Sequence, residues 1–259
     1  MRLLFATGEA SGDGYAAALL AEIRRTHPDV EVAASGGGKL QAAGVRLVAD
    51  SRRWGAVSIV EALKVAPSVL RGFSALKREL RRGKPGVLVA VDFGTMNVRL
   101  CRAAKAAGWK ILYFIPPGSW RRERQANDLV GLCDEIVTPF PWSAEIFREL
   151  GAKVHYFGHP IRDRIRGHEQ TSPREGIAVL PGSRDHEVQY NLPAILDALR
   201  TLGWQGPVRI PKASSIPREV LEVRLAKVGT QGLDVRIEDD AVRVLSTSVA
   251  GVVCSGSAT

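Results

Sequence analysis

The 259-residue chain reads as an α/β protein built from two Rossmann-like, doubly wound parallel-sheet domains, the second of them incomplete. Three observations predict this. Short apolar runs alternate with helical stretches of ten or more residues, the pattern of right-handed strand–helix–strand crossovers. The run GVLVAV (86–91) is apolar on both faces, as a strand buried in a parallel sheet must be. Turns of small residues follow four of the strands.

In chain order, RLLFA (2–6) is a strand and 14–25 a helix. A strand over 30–35 ends in the triple glycine Gly36–Gly37–Gly38. A helix over 59–80 is expected to kink or restart at Pro67, which has no N–H to donate. The strand 86–91 is followed by helix 97–107 and strand 110–114. Two further pairs follow, helix 121–132 with strand 135–138 and helix 143–150 with strand 154–157. These make a first domain over 1–166. The polar stretch 167–175 suits a linker. A second series starts at 176, with strand 177–180, helix 188–202, strand 208–210, helix 218–228 and strands 234–237 and 249–254. It stops at SGSAT (255–259), where a glycine-rich turn should open a helix. The second domain, 176–259, is therefore read as partial, and the chain alone is expected to be inactive.

Composition narrows the class. Apolar residues make up 45% of the chain and charged residues 24%, enough for a packed core under an ordinary surface. Cys101, Cys133 and Cys254 are widely separated and odd in number, which excludes a disulfide framework or CxxC metal knuckle and suits a reducing, cytoplasmic compartment. No run is long enough for a membrane-spanning helix. The net charge is +9, concentrated between Arg52 and Lys84, where nine Lys/Arg face only Glu61 and Glu79. Such a cluster attracts phosphates, in nucleotide sugars or on anionic lipid. The helix 59–80 adds Leu63, Leu70 and Phe73 between basic residues, so it suits either an anionic membrane surface or an ordinary core-facing helix. Aromatic residues are not interleaved with the basic ones, which argues against nucleic acid. His155 and His159 lie on an extended segment without a third ligand, so no metal or other cofactor is expected.

The four turns are Thr7–Asp13, Gly36–Gly38, Pro181–Arg184 and Ser255–Thr259. In open α/β sheets ligands bind at the carboxyl ends of strands, where helix N-termini favour phosphate. Each turn alone is also explained as a tight turn with an N-cap. Asp92 follows the most apolar strand. A carboxylate there is a candidate base for taking a proton from an acceptor hydroxyl, and it lies too early to cap a helix starting at Asn97. Arg184 offers a bidentate fork to a departing diphosphate, against the plainer reading of a surface ion pair with Glu187. Asp13 is either a site residue or a helix cap.

Together GEASGD (8–13), PGSRxxEV (181–188) and SGSAT (255–259) resemble the signature turns of the lipid-A-disaccharide synthase family. Ile59–Val60–Glu61–Ala62–Leu63, Val91–Asp92 with Asn97, and Gly158–His159–Pro160 add to the resemblance, which spans the chain from Leu3 to Thr259. It implies the two-Rossmann-domain GT-B glycosyltransferase fold and an inverting transfer from a UDP-sugar to a lipid-linked sugar. It also implies essential roles for Asp92 and Arg184. Glu9, Ser11, Gly12, Asp13, Asn97 and His159 then line the substrate site. Gly182, Ser183, Glu187, Ser255, Gly256, Ser257 and Thr259 belong to the donor side. Departures from the family pattern fall at Thr95, at Ile115–Arg121 and at Gly36–Lys39, all in the acceptor-side first domain. The competing readings are a UDP-N-acetylglucosamine epimerase of the same architecture and a non-catalytic nucleotide-sugar-binding protein.

Overall fold

The computed structural model describes residues 1–52, 54, 59–116, 128–165, 173–213 and 215–254, in two compact units, Met1–Pro160 and Ile161–Thr259. The expected linker falls largely outside these residues, as does helix 121–132 up to residue 127.

Among the described residues, the first unit holds one parallel sheet of seven strands. They are β1 (Arg2–Ala6), β2 (Glu31–Gly36), β3 (Arg46–Asp50), β4 (Val87–Val91), β5 (Lys110–Phe114), β6 (Glu135–Val137) and β7 (Val154–His155). Their spatial order is β3-β2-β1-β4-β5-β6-β7. The helices are α1 (Ala10–Thr26), α2 (Gly38–Ala42), α3 (Ile59–Leu80), α4 (Gly94–Ala106) and α5 (Pro141–Glu149). Successive side chains of the central strands point to opposite faces of the sheet, and both faces are buried. Leu4, Ala6, Leu88 and Ala90 pack into one core with α3 and α4, and Leu3, Phe5, Val89 and Val91 into another with α1. Helices cover both faces, which is why these strands read as unbroken apolar runs.

The second unit begins with the short α6 (Ile161–Ile165). Four parallel strands follow, β8 (Ile177–Leu180), β9 (Val208–Pro211), β10 (Val235–Glu238) and β11 (Ala250–Val253), in the order β10-β9-β8-β11. Their helices are α7 (Asp185–Thr201), α8 (Arg218–Val228) and α9 (Ala241–Thr247). Val179, Leu192, Leu196 and Ile210 are fully buried in its core.

Several boundaries differ from the sequence expectations. α3 runs through Pro67 without restarting. α4 opens at Gly94 rather than Asn97, because Asp92 and Phe93 both adopt left-handed backbone angles and turn the chain straight off β4 into the helix. α1 opens at Ala10 and α7 at Asp185, each several residues early. Elements α2, β3, α6 and α9 add to the expected series.

In each sheet the order reverses once between neighbouring strands, at β1/β4 and at β8/β11. These are the switch points where an open α/β sheet leaves a crevice at its carboxyl edge.

Candidate active site

The first switch point is framed by the segment after β1. The Thr7 N–H donates to the Ser35 carbonyl (3.2 Å), and the Ser35 hydroxyl donates back to the Thr7 carbonyl (3.0 Å), fastening the ends of β1 and β2. Glu9 takes the N-cap position of α1 with extended backbone, and its side chain does not cap the helix. Ser11 is exposed in the first turn, and Gly12 is buried against Thr7 and Val91. Gly8 is required by close approach, since a Cβ there would lie 1.9 Å from the Phe93 ring. Asp13 is buried within α1 and caps a different helix. Its carboxylate accepts the N–H groups of Gly37 (2.7 Å), Lys39 (2.9 Å) and Leu40 (3.3 Å), at the start of α2. The triple glycine thus meets a carboxylate on its own unit.

Asp92 follows β4 at that same switch point. Asp92 (φ 49°) and Phe93 (φ 55°) are consecutive left-handed residues, and Ile115 (φ 58°) is a third, just beyond the neighbouring β5. Non-glycine residues in this region cost on the order of 1–3 kcal/mol each and concentrate at functional sites. Among the described residues these three are the non-glycine ones with positive φ, and all lie at the carboxyl ends of β4 and β5. The surroundings hold the turn. Phe93 packs on Gly8 and stacks on Trp54 at 5.8 Å. Asn97 is buried, and its side-chain amide donates to the carbonyls of Asp92 (2.8 Å), Ala6 (3.0 Å) and Val91 (3.2 Å). It ties β1 to β4 across the switch point. The buried Tyr113 hydroxyl, on β5, donates to the Asp92 carbonyl at 2.9 Å.

Burial pushes the Asp92 carboxyl up to about 6, the negative charge of Glu9 adds to this, and the Phe93 N–H partly opposes it. A carboxylate at that value is poised as a general base near neutral pH.

His159 sits in an aromatic cluster of the first unit, edge-on to Tyr15 (6.2 Å) and Phe140 (5.7 Å), while Phe140 stacks on Trp142 (4.6 Å). His155 instead pairs with Glu135 at 2.6 Å.

In the second unit, Gly182–Arg184 form the turn after β8 at the β8/β11 switch point. Gly182 has φ +131°, and a Cβ there would lie 2.4 Å from that of Glu187. Glu187, in the first turn of α7, organises the loop. Its carboxylate accepts the N–H groups of Ser183 (2.8 Å) and Arg184 (3.2 Å) and pairs with the Arg184 guanidinium at 2.8 Å. Burial pushes the Glu187 carboxyl up, but the Arg184 side chain and the backbone donors outweigh it and hold it below the usual glutamate range. The i,i+3 ion pair, the plainer of the two readings of Arg184, is therefore present. It places the guanidinium at the carboxyl end of β8. Asn191 donates to the Pro181 carbonyl (2.8 Å) and the Cys254 sulfur (3.2 Å), linking the ends of β8 and β11. Ser255, Gly256, Ser257 and Thr259 lie outside the described residues, as does the Thr95 side chain.

The structure thus gathers Glu9, Gly12, Asp92 and Asn97 around the first switch point, and Gly182, Ser183, Arg184 and Glu187 around the second. Phe93 and Tyr113 join the first group without any sequence signal. A bulky residue after the strand and a tyrosine inside the next are ordinary core choices, and only the left-handed turn gives them a role.

Two sheets of the Rossmann order, each with its switch point lined by glycine turns and polar side chains, define the two-Rossmann-domain α/β class. Solved structures agree at the level of fold. A putative UDP-N-acetylglucosamine 2-epimerase from Listeria monocytogenes matches with a TM-score of 0.68, at 10% identity, over 99% of this chain and 74% of that one. A UDP co-structure of MnaA from S. aureus matches with a TM-score of 0.61, at 12% identity, over 98% and 74%. The sequence is more specific. The family model described as lipid-A-disaccharide synthetase matches residues 3–259. The lipid-A-disaccharide synthase of Koribacter versatilis (strain Ellin345) is 33% identical over 271 residues, covering 100% of this chain and 71% of the relative. That of Myxococcus xanthus (strain DK1622) is 33% identical over 272 residues, covering 99% and 70%. The chain belongs to the lipid-A-disaccharide synthase family of glycosyltransferases.

Proposed function

We propose that the protein transfers a sugar from a UDP-sugar to a hydroxyl of a lipid-linked sugar, with inversion, and that Asp92 is the base. The Asp92 carboxylate takes the acceptor hydroxyl proton as the oxygen bonds to the anomeric carbon. The bond from that carbon to the UDP oxygen breaks, and UDP departs with the electron pair. Arg184 meets the charge that develops on the diphosphate. The single observation that carries this reading is the strained, half-buried carboxylate at the β1/β4 switch point, held near 6 by burial and by Glu9. Glu187 acts by holding the Gly182–Arg184 turn. Identity of 33% across the chain favours transfer chemistry over epimerisation, since the epimerase likeness is one of fold at 10–13% identity.

The acceptor is membrane-borne in this reading, and α3 supplies the contact. Leu63 and Leu70 are 70% and 60% exposed, beside exposed Arg71, Arg78 and Arg81. No helix among the described residues is long and apolar enough to cross a membrane. Binding at the surface from the cytoplasmic side is consistent with cysteines that are few and widely separated in sequence, Cys101, Cys133 and Cys254.

The test is UDP release by the full-length protein supplied with a UDP-linked acylated glucosamine and an acylated glucosamine 1-phosphate. Asp92→Asn and Arg184→Ala are each expected to lower turnover by about 10²–10⁴. Near wild-type turnover in Asp92→Asn removes Asp92 from the base role.

A further inference from the structure

The carbonyl of Asp92 receives two side-chain donors from two different elements, the Asn97 amide on α4 at 2.8 Å and the Tyr113 hydroxyl on β5 at 2.9 Å. Double side-chain donation to one carbonyl is not a requirement of a parallel sheet. Here it falls on the first of two consecutive left-handed residues, where the backbone most needs restraint. The two donors differ in their other duties. Asn97 also serves Ala6 and Val91, so it is part of the sheet's own stitching. The Tyr113 hydroxyl makes this bond and sits on a fully buried ring one strand away. Tyr113 precedes the third left-handed residue, Ile115, by two positions, Ile115 lying just past the end of β5.

We infer that Tyr113 is a positioning residue for the transfer reaction: its hydroxyl clamps the Asp92 carbonyl, holds the Asp92–Phe93 turn in its left-handed form, and so fixes where the Asp92 carboxylate stands. The inference rests on the reading of Asp92 as the base. Tyr113 touches no substrate in this scheme and acts through the backbone alone. Among the described residues, the charged or titratable groups that act on the Asp92 carboxylate are Glu9, from the start of α1, and Tyr113 itself. Burial pushes the Tyr113 phenol well above its usual range, so it stays a protonated donor throughout the pH range of an assay.

Tyr113→Phe removes one hydroxyl and leaves the ring. In the full-length protein it is expected to lower kcat roughly tenfold with little change in the KM for the UDP-sugar, as loss of alignment at the reacting atoms does. A loosened turn admits water to Asp92, so the acid limb of the kcat/KM profile should move down from about 6, toward the ordinary aspartate value. In the Asp92→Asn background Tyr113→Phe should cost nothing further, because a residue acting through Asp92 has nothing left to position. An unmoved acid limb, or a full additional loss in the Asp92→Asn background, overturns the inference. Retained activity in Asp92→Asn alone overturns the base reading instead, so the two failures are distinct. If the phenol proves necessary for folding, Asn97→Ser removes the other donor to the same carbonyl. The same downward shift is then expected, and an unmoved limb again counts against the clamp.

Discussion

Asp13 and Gly37 meet at 2.7 Å, carboxylate oxygen to backbone N–H, so the helix that follows the first strand caps the helix that follows the second. The same carboxylate takes two more N–H groups at the start of α2, that of Lys39 part-buried and that of Leu40 buried. Asp13→Ala leaves three donors, two of them buried, without an acceptor, and Asp13→Asn keeps one acceptor oxygen. The alanine variant should lose about 3 kcal/mol of stability in the first unit. In thermal unfolding that is a drop of roughly 6–12 °C, with the asparagine variant falling less. Unchanged melting in Asp13→Ala would mean that the α2 cap carries no weight, and would return Asp13 to the substrate site.

Asp92 couples activity to stability with opposite signs. Its carboxyl rises on folding from 3.8 to about 6, so the folded protein disfavours the charged form. The cost is absent below the unfolded value, grows between the two, and is fully present above about 6. Two pH units correspond to roughly 2–3 kcal/mol. Asp92→Asn removes the charge and tolerates the left-handed angle equally well. It should therefore be inactive yet more stable than wild type at pH 8 by up to about 3 kcal/mol, with the difference vanishing near pH 3. Chemical denaturation at the two pH values measures this. A variant less stable at pH 8 contradicts the burial argument.

How much of this was legible in the sequence depended on the kind of signal. β4 was plain because both of its faces are buried, and Asp92 stood out as a candidate because it follows that strand. The turn that makes Asp92 unusual left no trace, since an Asp-Phe pair does not announce positive φ as glycine does. For the same reason the start of α4 was placed three residues late, because its N-cap position is filled by Phe93 and not by a polar capping residue. β3 was hidden by its half-buried pattern, and α2 by the three glycines that read as a turn. Arg184 was placed correctly at its turn. The i,i+3 spacing to Glu187 was enough to foresee their pairing, which the family turn made appear the lesser reading.

The turn after β8 should be intolerant of any side chain at Gly182. Alanine there meets both a positive φ and a Glu187 Cβ at 2.4 Å, so Glu187 must withdraw from the Ser183 and Arg184 N–H groups. With the turn loosened, Arg184 is no longer held at the strand end. UDP affinity of the full-length protein is expected to fall at least tenfold, about 1.4 kcal/mol, with the unfolding of the first unit unaffected. Calorimetric titration with UDP reports it. Wild-type affinity in Gly182→Ala would place the donor elsewhere.

The exposed flank of α3 should set binding to anionic bilayers. Arg71 bonds the Pro67 carbonyl, and among the described residues neither Arg78 nor Arg81 has a carboxylate partner. In the second unit, by contrast, Arg184, Arg209, Arg218, Arg224 and Arg236 each pair with an acid. Cations without partners lose no ion pair when they meet lipid phosphate, and each contributes about 1 kcal/mol near an anionic surface. Replacing Arg71, Arg78 and Arg81 together by Gln should weaken partitioning onto phosphatidylglycerol vesicles about 100-fold. Binding of the wild type should fall as salt rises, because surface charges are screened. Leu63→Ser with Leu70→Ser should weaken binding at any salt concentration, since it removes buried apolar area. Vesicle sedimentation separates the two contributions. Equal partitioning of wild type onto phosphatidylcholine and phosphatidylglycerol would rule out the electrostatic part. No loss in the Arg variant would show that α3 faces something other than the membrane.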